Sequence, residues 1–234
     1  MTNLTRYDEI AAGLAEVEER IADACRASGR SRDEITLIAV TKTYPASDVR
    51  VLAELGITDV GENRDQEAAA KAQECHDLPL NWHFIGQLQT NKAKSVASYA
   101  DLVHSVDRSR LVTTLSRAAV AAGRELGCLI QVALDDDPSR GGVRPAEVFA
   151  LAEEVVAAEG LRFGGLMAVA PLGGDAGKSF TKLAELAQAV RGRWAEARIV
   201  SAGMSGDLNE AVANGATHLR IGTALLGRRR PFVR

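Results

Sequence analysis

The chain has 234 residues, 46% of them apolar and 25% charged, with a formal net charge of −3. This is the composition of an ordinary globular domain, and the slightly acidic balance excludes a general nucleic-acid binder. No stretch is apolar enough to cross a membrane, no h-region opens the chain, and Cys25, Cys75 and Cys128 are scattered without a CxxC pair; a cytoplasmic protein with reduced thiols is expected.

The first segment reads as a helix. Ile10, Leu14, Val17 and Ile21 lie on one apolar stripe, and Gly29 stands where that helix should stop. Residues 1–30 therefore form an extra helix ahead of the first strand. From residue 35 the chain alternates. Apolar runs at 35–42, 58–62, 81–86, 102–106, 128–134, 162–170, 197–204 and 218–222 are separated by helical patterns, such as Leu111 to Ala122 and Val148 to Ala158. Strands alternating with helices imply parallel strands joined by helical crossovers. An open doubly wound sheet would show the same pattern, but eight units in about 200 residues fit a closed barrel better. The expected fold is α/β: a single (β/α)8 TIM barrel over 1–234, with the N-terminal helix packed on it and no linker.

The first strand, in LIAVTKTYP at 37–45, leads into a lysine. Side chains alternate along a strand, so Ile38, Val40 and Lys42 are expected to share the inward face. A lysine seldom ends a buried strand for packing alone, because its charge must be paired or lost. On an isolated strand it would snorkel to solvent. In a closed barrel the last strand lies beside the first, so HLRIGT at 218–223 brings Arg220 inward near Lys42, with Leu219 and Ile221 turned to the helices. VGEN brings Asn63 to the end of the second strand. Two cations in one barrel mouth are costly unless an anion or an electron-rich ligand joins them, so an anionic ligand is expected.

Two loops supply the anion site. AGMSGD at 202–207 leads into a helix at Leu208. Ser205, Gly206 and Asp207 are placed around its N-terminus, where backbone N–H groups favour phosphate. Gly222 and Thr223 follow the eighth strand on the same rim, where such barrels often hold phosphate. Each loop alone reads as a turn; together they read as a phosphate site.

The motifs LIAVTKTYP, VGENRDQE, NWHFIGQLQTNK, HSVD, GLMAVAP and SAGMSGDLNEAVANGATHLRIGTALLGRR run in this order from Ile35 to Arg229. In that order they resemble the pyridoxal 5'-phosphate (PLP) homeostasis proteins, the small single-domain PLP-binding barrels. That fold is similar to the barrel domain of bacterial alanine racemases and eukaryotic ornithine decarboxylases. The resemblance implies a covalent Schiff base between PLP and Lys42, with Arg220 meeting the pyridine nitrogen. It implies that Ser205, Gly206, Gly222 and Thr223 hold the phosphate and that Asn63 and Met204 lie close to the cofactor. It also implies storage, buffering or delivery of PLP without established turnover, so no catalytic residue is assigned. Apo PLP-dependent enzymes would be the recipients, and a monomer is expected. The chain departs from the usual pattern in VALDDDPSRGGV, where Arg140 stands near the usual lysine, and in GENRDQE, where Arg64 replaces a common aromatic.

The leading alternative is a PLP-dependent amino-acid racemase-like enzyme. Similar racemases and decarboxylases complete their sites with a second domain and a dimer, and no residues beyond 234 are at hand to supply one. A barrel without cofactor that acts through protein partners is opposed by Lys42, Arg220 and the phosphate loops together. Other motifs carry less. GGDAGKS at 173–179 misses a phosphate loop by one residue and reads as a helix start, with Asp175 or Ser179 near the cap. His76, His83, His104 and His218 lack metal-ligand spacing; His83 and His104 read as satisfied core histidines, although either could line the mouth. Asp135, Asp136 and Asp137 read as a solvated loop. No GxSxG or Cys/His nucleophile pattern is present. Tyr44 is expected on the rim.

Overall fold

The computed structural model describes residues 5–135, 137, 140–171 and 173–227. It opens with α1 (Arg6–Ala27), whose start is fixed by Thr5: its hydroxyl accepts the Asp8 N–H, and the Asp8 carboxylate accepts the Thr5 N–H. There follow β1 (Thr36–Val40), α2 (Ala46–Glu54), β2 (Asp59–Glu62), α3 (Asp65–Glu74), β3 (Asn81–Phe84), α4 (Ala93–Tyr99), β4 (Leu102–Val106) and α5 (Ser109–Ala122). The second half runs β5 (Leu126–Gln131), α6 (Val148–Ala157), β6 (Leu161–Met167), α7 (Ala176–Arg193), β7 (Ile199–Ser201), α8 (Leu208–Ala213), β8 (His218–Ile221) and α9 (Thr223–Leu226). The strands pair in sequence order and β8 pairs back to β1, closing the expected barrel.

Alternation along the strands sorts the side chains as expected. Leu37, Ala39, Leu219 and Ile221 join the large apolar layer between barrel and helices. A smaller cluster of Leu102, Leu129 and Met167, with Val169 and Ile199 against it, fills part of the interior. Strand ends differ from expectation where loop bonds take over. β5 starts two residues early, because the Leu126 N–H is already taken by the Gly160 carbonyl. It stops at Gln131, where Val132 bridges to Val143 instead of continuing the ladder. β7 keeps only three residues of its longer apolar run. Asp175 caps α7 by accepting the Lys178 N–H, as GGDAGKS suggested. Asp136 and the basic tail Arg228 to Arg230 and Arg234 lie outside the described residues.

The extra helix α1 packs on α8, α9 and α2. Its Gly13 allows that approach: a Cβ there would lie 2.4 Å from the Leu225 carbonyl oxygen. Alanine in a helix interior ordinarily gains about 1 kcal/mol over glycine. Here the clash is with backbone and should outweigh that gain. Gly13→Ala is expected to cost ~1–3 kcal/mol, read as a lower urea midpoint at unchanged slope. A raised midpoint would show that α1 has room to spare.

Candidate functional site

β1 ends at Val40, so Lys42 is not the last strand residue. The Thr41 N–H still donates to the Gly61 carbonyl at 3.0 Å. The chain then turns, with the Tyr44 N–H donating to the Thr41 carbonyl at 3.0 Å and Pro45 opening α2. Lys42 is the second residue of this turn and is half-buried. Thr43 occupies the third position with φ of +69°. A β-branched residue there is strained, at a cost of about 1–3 kcal/mol. Its N–H donates to Glu67 Oε2 at 3.1 Å, which helps hold the conformation.

Beneath the turn lies a buried ionic network. Lys71 Nζ donates to Glu62 Oε1 at 2.6 Å and to the Thr41 carbonyl at 2.7 Å. Thr41 Oγ1 donates to the same carboxylate oxygen at 2.6 Å. Burial raises the Glu62 carboxyl above its ordinary range, against the opposing pull of Lys71 and Thr41. The backbone atom that immediately precedes Lys42 is thus tied to α3. On the adjoining rim Asn63 is half-buried, and a Cβ at Gly86 would lie 2.2 Å from its carbonyl oxygen. The loops after β2 and β3 therefore touch backbone to backbone.

Arg220 pairs in register with Ile38 and is 5% exposed. Its Nη1 donates to Ser201 Oγ at 2.6 Å and its Nη2 to the Ala168 carbonyl at 2.9 Å, so it does face inward. Burial pushes its guanidinium down to about 10, with Asp207 opposing. It forms no ion pair with any described residue.

The two small-residue loops lie as expected after β7 and β8. Gly222 approaches the end of β1 closely enough that a Cβ would sit 3.3 Å from Val40 Cβ. Thr223 opens α9; the Leu225 and Leu226 N–H groups donate to the Gly222 carbonyl, and those of Thr223 and Ala224 are left without a helical acceptor. In the β7 loop, Met204 and Gly206 are exposed and Ser205 is half-buried. The N–H groups of Ser205 and Gly206 bond to no described residue, whereas the Met204 N–H is taken by Asp207 Oδ1 at 2.6 Å. From α1, Arg20 donates to the Ser205 carbonyl at 2.7 Å and Arg6 to the Leu226 carbonyl at 3.0 Å. One helix therefore braces both loops.

Tyr44 lies at the outer edge of this rim, its hydroxyl donating to the Gly227 carbonyl at 2.6 Å. His83 and His104 are core histidines, bonded to each other at 2.9 Å. Arg140 pairs with Asp135 and donates to the Val169 and Ala170 carbonyls, which fastens the loop after β5 to that after β6. No group of three metal-ligating side chains is found among the described residues. Sequence reasoning missed Glu62, Lys71, Ser201 and Arg20. Glu62 was visible inside VGEN, but nothing in an alanine-rich helix pointed to its lysine partner.

The model of the alanine racemase N-terminal domain matches residues 14–230. The pyridoxal phosphate homeostasis protein of Mycobacterium bovis is 44% identical over 244 residues, covering 96% of this chain and 95% of its own. The chain belongs to the pyridoxal phosphate homeostasis protein family. The homeostasis protein of Escherichia coli is 39% identical, with 95% of this chain and 97% of that one covered. PipY of Synechococcus elongatus, solved with PLP bound, is 36% identical with a TM-score of 0.82, over 93% of this chain and 100% of that chain. Alanine racemase of Clostridium difficile is 14% identical with a TM-score of 0.72, over 97% of this chain and 58% of that one. It shares the fold alone. Among the described residues, no helix is long and apolar enough to cross a membrane.

Proposed function

We propose that this member of the homeostasis family binds PLP at the C-terminal mouth of its barrel, in Schiff-base linkage to Lys42, and carries or buffers the cofactor without turning over amino acids. The observation that carries the reading is Arg220, a buried guanidinium without an ionic partner among the described residues, beside the strand that leads into Lys42. An electron-rich ring nitrogen suits such a donor. The rim fits a phosphate: the free N–H groups of Ser205 and Gly206 face no described partner, and a Cβ at Gly206 would meet nothing within 4 Å. The solved PLP complex of PipY and the names of the relatives agree with this fit.

When bound, PLP supplies an aldehyde for an amine and a ring that can act as an electron sink. The residues of this chain favour holding over chemistry. Arg220 remains charged at neutral pH and can only donate a hydrogen bond, so it leaves the ring nitrogen without an added proton and the sink shallow. Tyr44, the tyrosine nearest to Lys42 in sequence, is engaged with Gly227 at the edge of α9. Apo PLP-dependent enzymes are the proposed recipients, and the chain is proposed to act as a monomer in the cytoplasm.

The loaded protein is expected to be yellow. Borohydride should leave a pyridoxyl group on Lys42 by mass spectrometry, and Lys42→Ala should lose the band. Retention of the band in that variant would place the anchor on another lysine. Incubated with L-amino acids in deuterated water, the loaded protein should exchange their α-protons no faster than free PLP. Faster exchange, abolished by Lys42→Ala, would establish an enzyme instead.

A further inference from the structure

The barrel interior holds a continuous chain of polar side chains. It starts at Asp59, the first residue of β2, and passes through His83 on β3 and His104 on β4. From there it crosses to Ser201 on β7 and ends at Arg220 on β8. The successive contacts are Asp59 Oδ1 to His83 Nε2 at 2.9 Å, His83 Nδ1 to His104 Nε2 at 2.9 Å, and His104 Nδ1 to Ser201 Oγ at 2.9 Å. Arg220 Nη1 donates to Ser201 at 2.6 Å. His83, His104, Ser201 and Arg220 are all buried, His104 and Ser201 completely.

With one proton on each imidazole, hydrogen-bond inventory gives this chain a single direction. A carboxylate only accepts and a guanidinium only donates. Asp59 therefore accepts a hydrogen bond from the His83 Nε2–H, and Ser201 Oγ accepts one from Arg220. The Ser201 O–H then donates to His104 Nδ1, the His104 proton sits on Nε2, and that N–H donates to His83 Nδ1. Every donor is then used once, and the proton of each imidazole sits on Nε2. Burial above all, with the positive charge of Arg220 beside it, holds the His104 imidazole well below its ordinary value and so keeps it neutral.

We propose that Asp59, His83, His104 and Ser201 act together as positioning residues for Arg220, fixing the plane of its guanidinium and setting its polarity toward the cofactor ring from the opposite rim of the barrel. The proposal rests on PLP binding at this mouth. Without the chain, Arg220 keeps only the Ala168 carbonyl as a hydrogen-bonded anchor among the described residues. Because the contact is with the ring and not the phosphate, loss of the chain should weaken PLP and pyridoxal alike.

The test uses the full chain, loaded by titration with PLP or with pyridoxal. Ser201→Ala is expected to raise both dissociation constants about tenfold, the loss of one charge-assisted hydrogen bond, and to shift the absorption maximum of the bound cofactor. Asp59→Asn, at the far rim, is expected to shift that maximum in the same direction by a smaller amount. In the unaltered protein, 15N NMR should find His83 and His104 both protonated on Nε2. Wild-type affinity and spectrum in Ser201→Ala, or a proton on His104 Nδ1, would overturn the proposal even with PLP bound. Failure of the unaltered protein to take up PLP would instead overturn the reading on which it rests.

Discussion

Lys71→Met is expected to cost ~3–5 kcal/mol, because it strands a buried carboxylate. Glu62 is 1% exposed on its side chain, and its Oε2 already has no partner among the described residues. Removing the ammonium leaves only Thr41 Oγ1 on the other oxygen and frees the Thr41 carbonyl. In the variant Glu62 should be raised further above its unfolded value. A carboxyl raised on folding loses stability as pH rises from its unfolded value through its folded one. The deficit should therefore be largest at neutral pH and shrink toward pH 5. Glu62→Met combined with Lys71→Met should recover most of the loss, since apolar residues of similar volume can replace a buried pair. Urea unfolding of the three variants at pH 7 and pH 5 checks this. A single-variant cost under about 1 kcal/mol, where exposed pairs fall, would mean that water reaches Glu62.

Acid should unfold the protein well above the range in which carboxylates protonate. Burial, reinforced by the charges of their neighbours, holds His104 well below the ordinary imidazole value and pushes His218 down to about 4. In the unfolded chain both titrate near 6.5. The unfolded state therefore takes up protons that the folded state refuses. Stability is complete above that pH and is lost as pH falls, at about 1.4 kcal/mol per unit for each histidine. Between pH 6.5 and 4.5 His218 alone removes ~2 kcal/mol, and His104 adds to this in the same sense, a large share of the stability of a typical domain. Asp59 acts in the same sense lower down: burial raises its carboxyl, but hydrogen bonds from His83, Thr58 and Asn81 more than offset this. Its contribution is lost as it is protonated. Urea midpoints measured from pH 7.5 to 4.5 should fall steeply, and NMR should show two imidazoles still neutral at pH 5. A flat profile would mean that these rings titrate as exposed ones do.

The barrel was legible because eight apolar runs separated by amphipathic stretches leave few other ways to bury both. The inward placement of Arg220 followed from alternation in HLRI, once β8 was set beside β1. Lys42 was approached by the same rule, but the strand ends before it. Alternation holds only while the ladder lasts, and the ladder stops one bond after Val40. Thr43 gave no warning of a left-handed conformation, since that position of such a turn usually announces itself with glycine or asparagine. His83 and His104 were each read as satisfied core residues. Their link needs the β3–β4 register, which sets His83 beside Leu102 and His104 two residues further along the same face. Glu62 points outward from the barrel and Lys71 reaches back to it from α3, so the pairing depends on how α3 docks and not on any strand pattern.

The bracing by α1 bears on the order in which the molecule is assembled. Arg20 and the Ser205 carbonyl that it holds are 185 residues apart in sequence, and the β1–β8 seam joins comparably distant segments. Closing so long a loop costs more chain entropy than forming any single neighbouring strand pair, and its contacts return nothing until the ends meet. The intermediate pairs, from β2 to β7, can each form from local sequence. The seam and the helix that clamps it must wait until β8 and α9 have left the ribosome. Both rim loops lie on that last-closing side, so the phosphate site proposed for them is finished only at the final step of folding, and a ligand held there would favour the closed barrel over every open precursor.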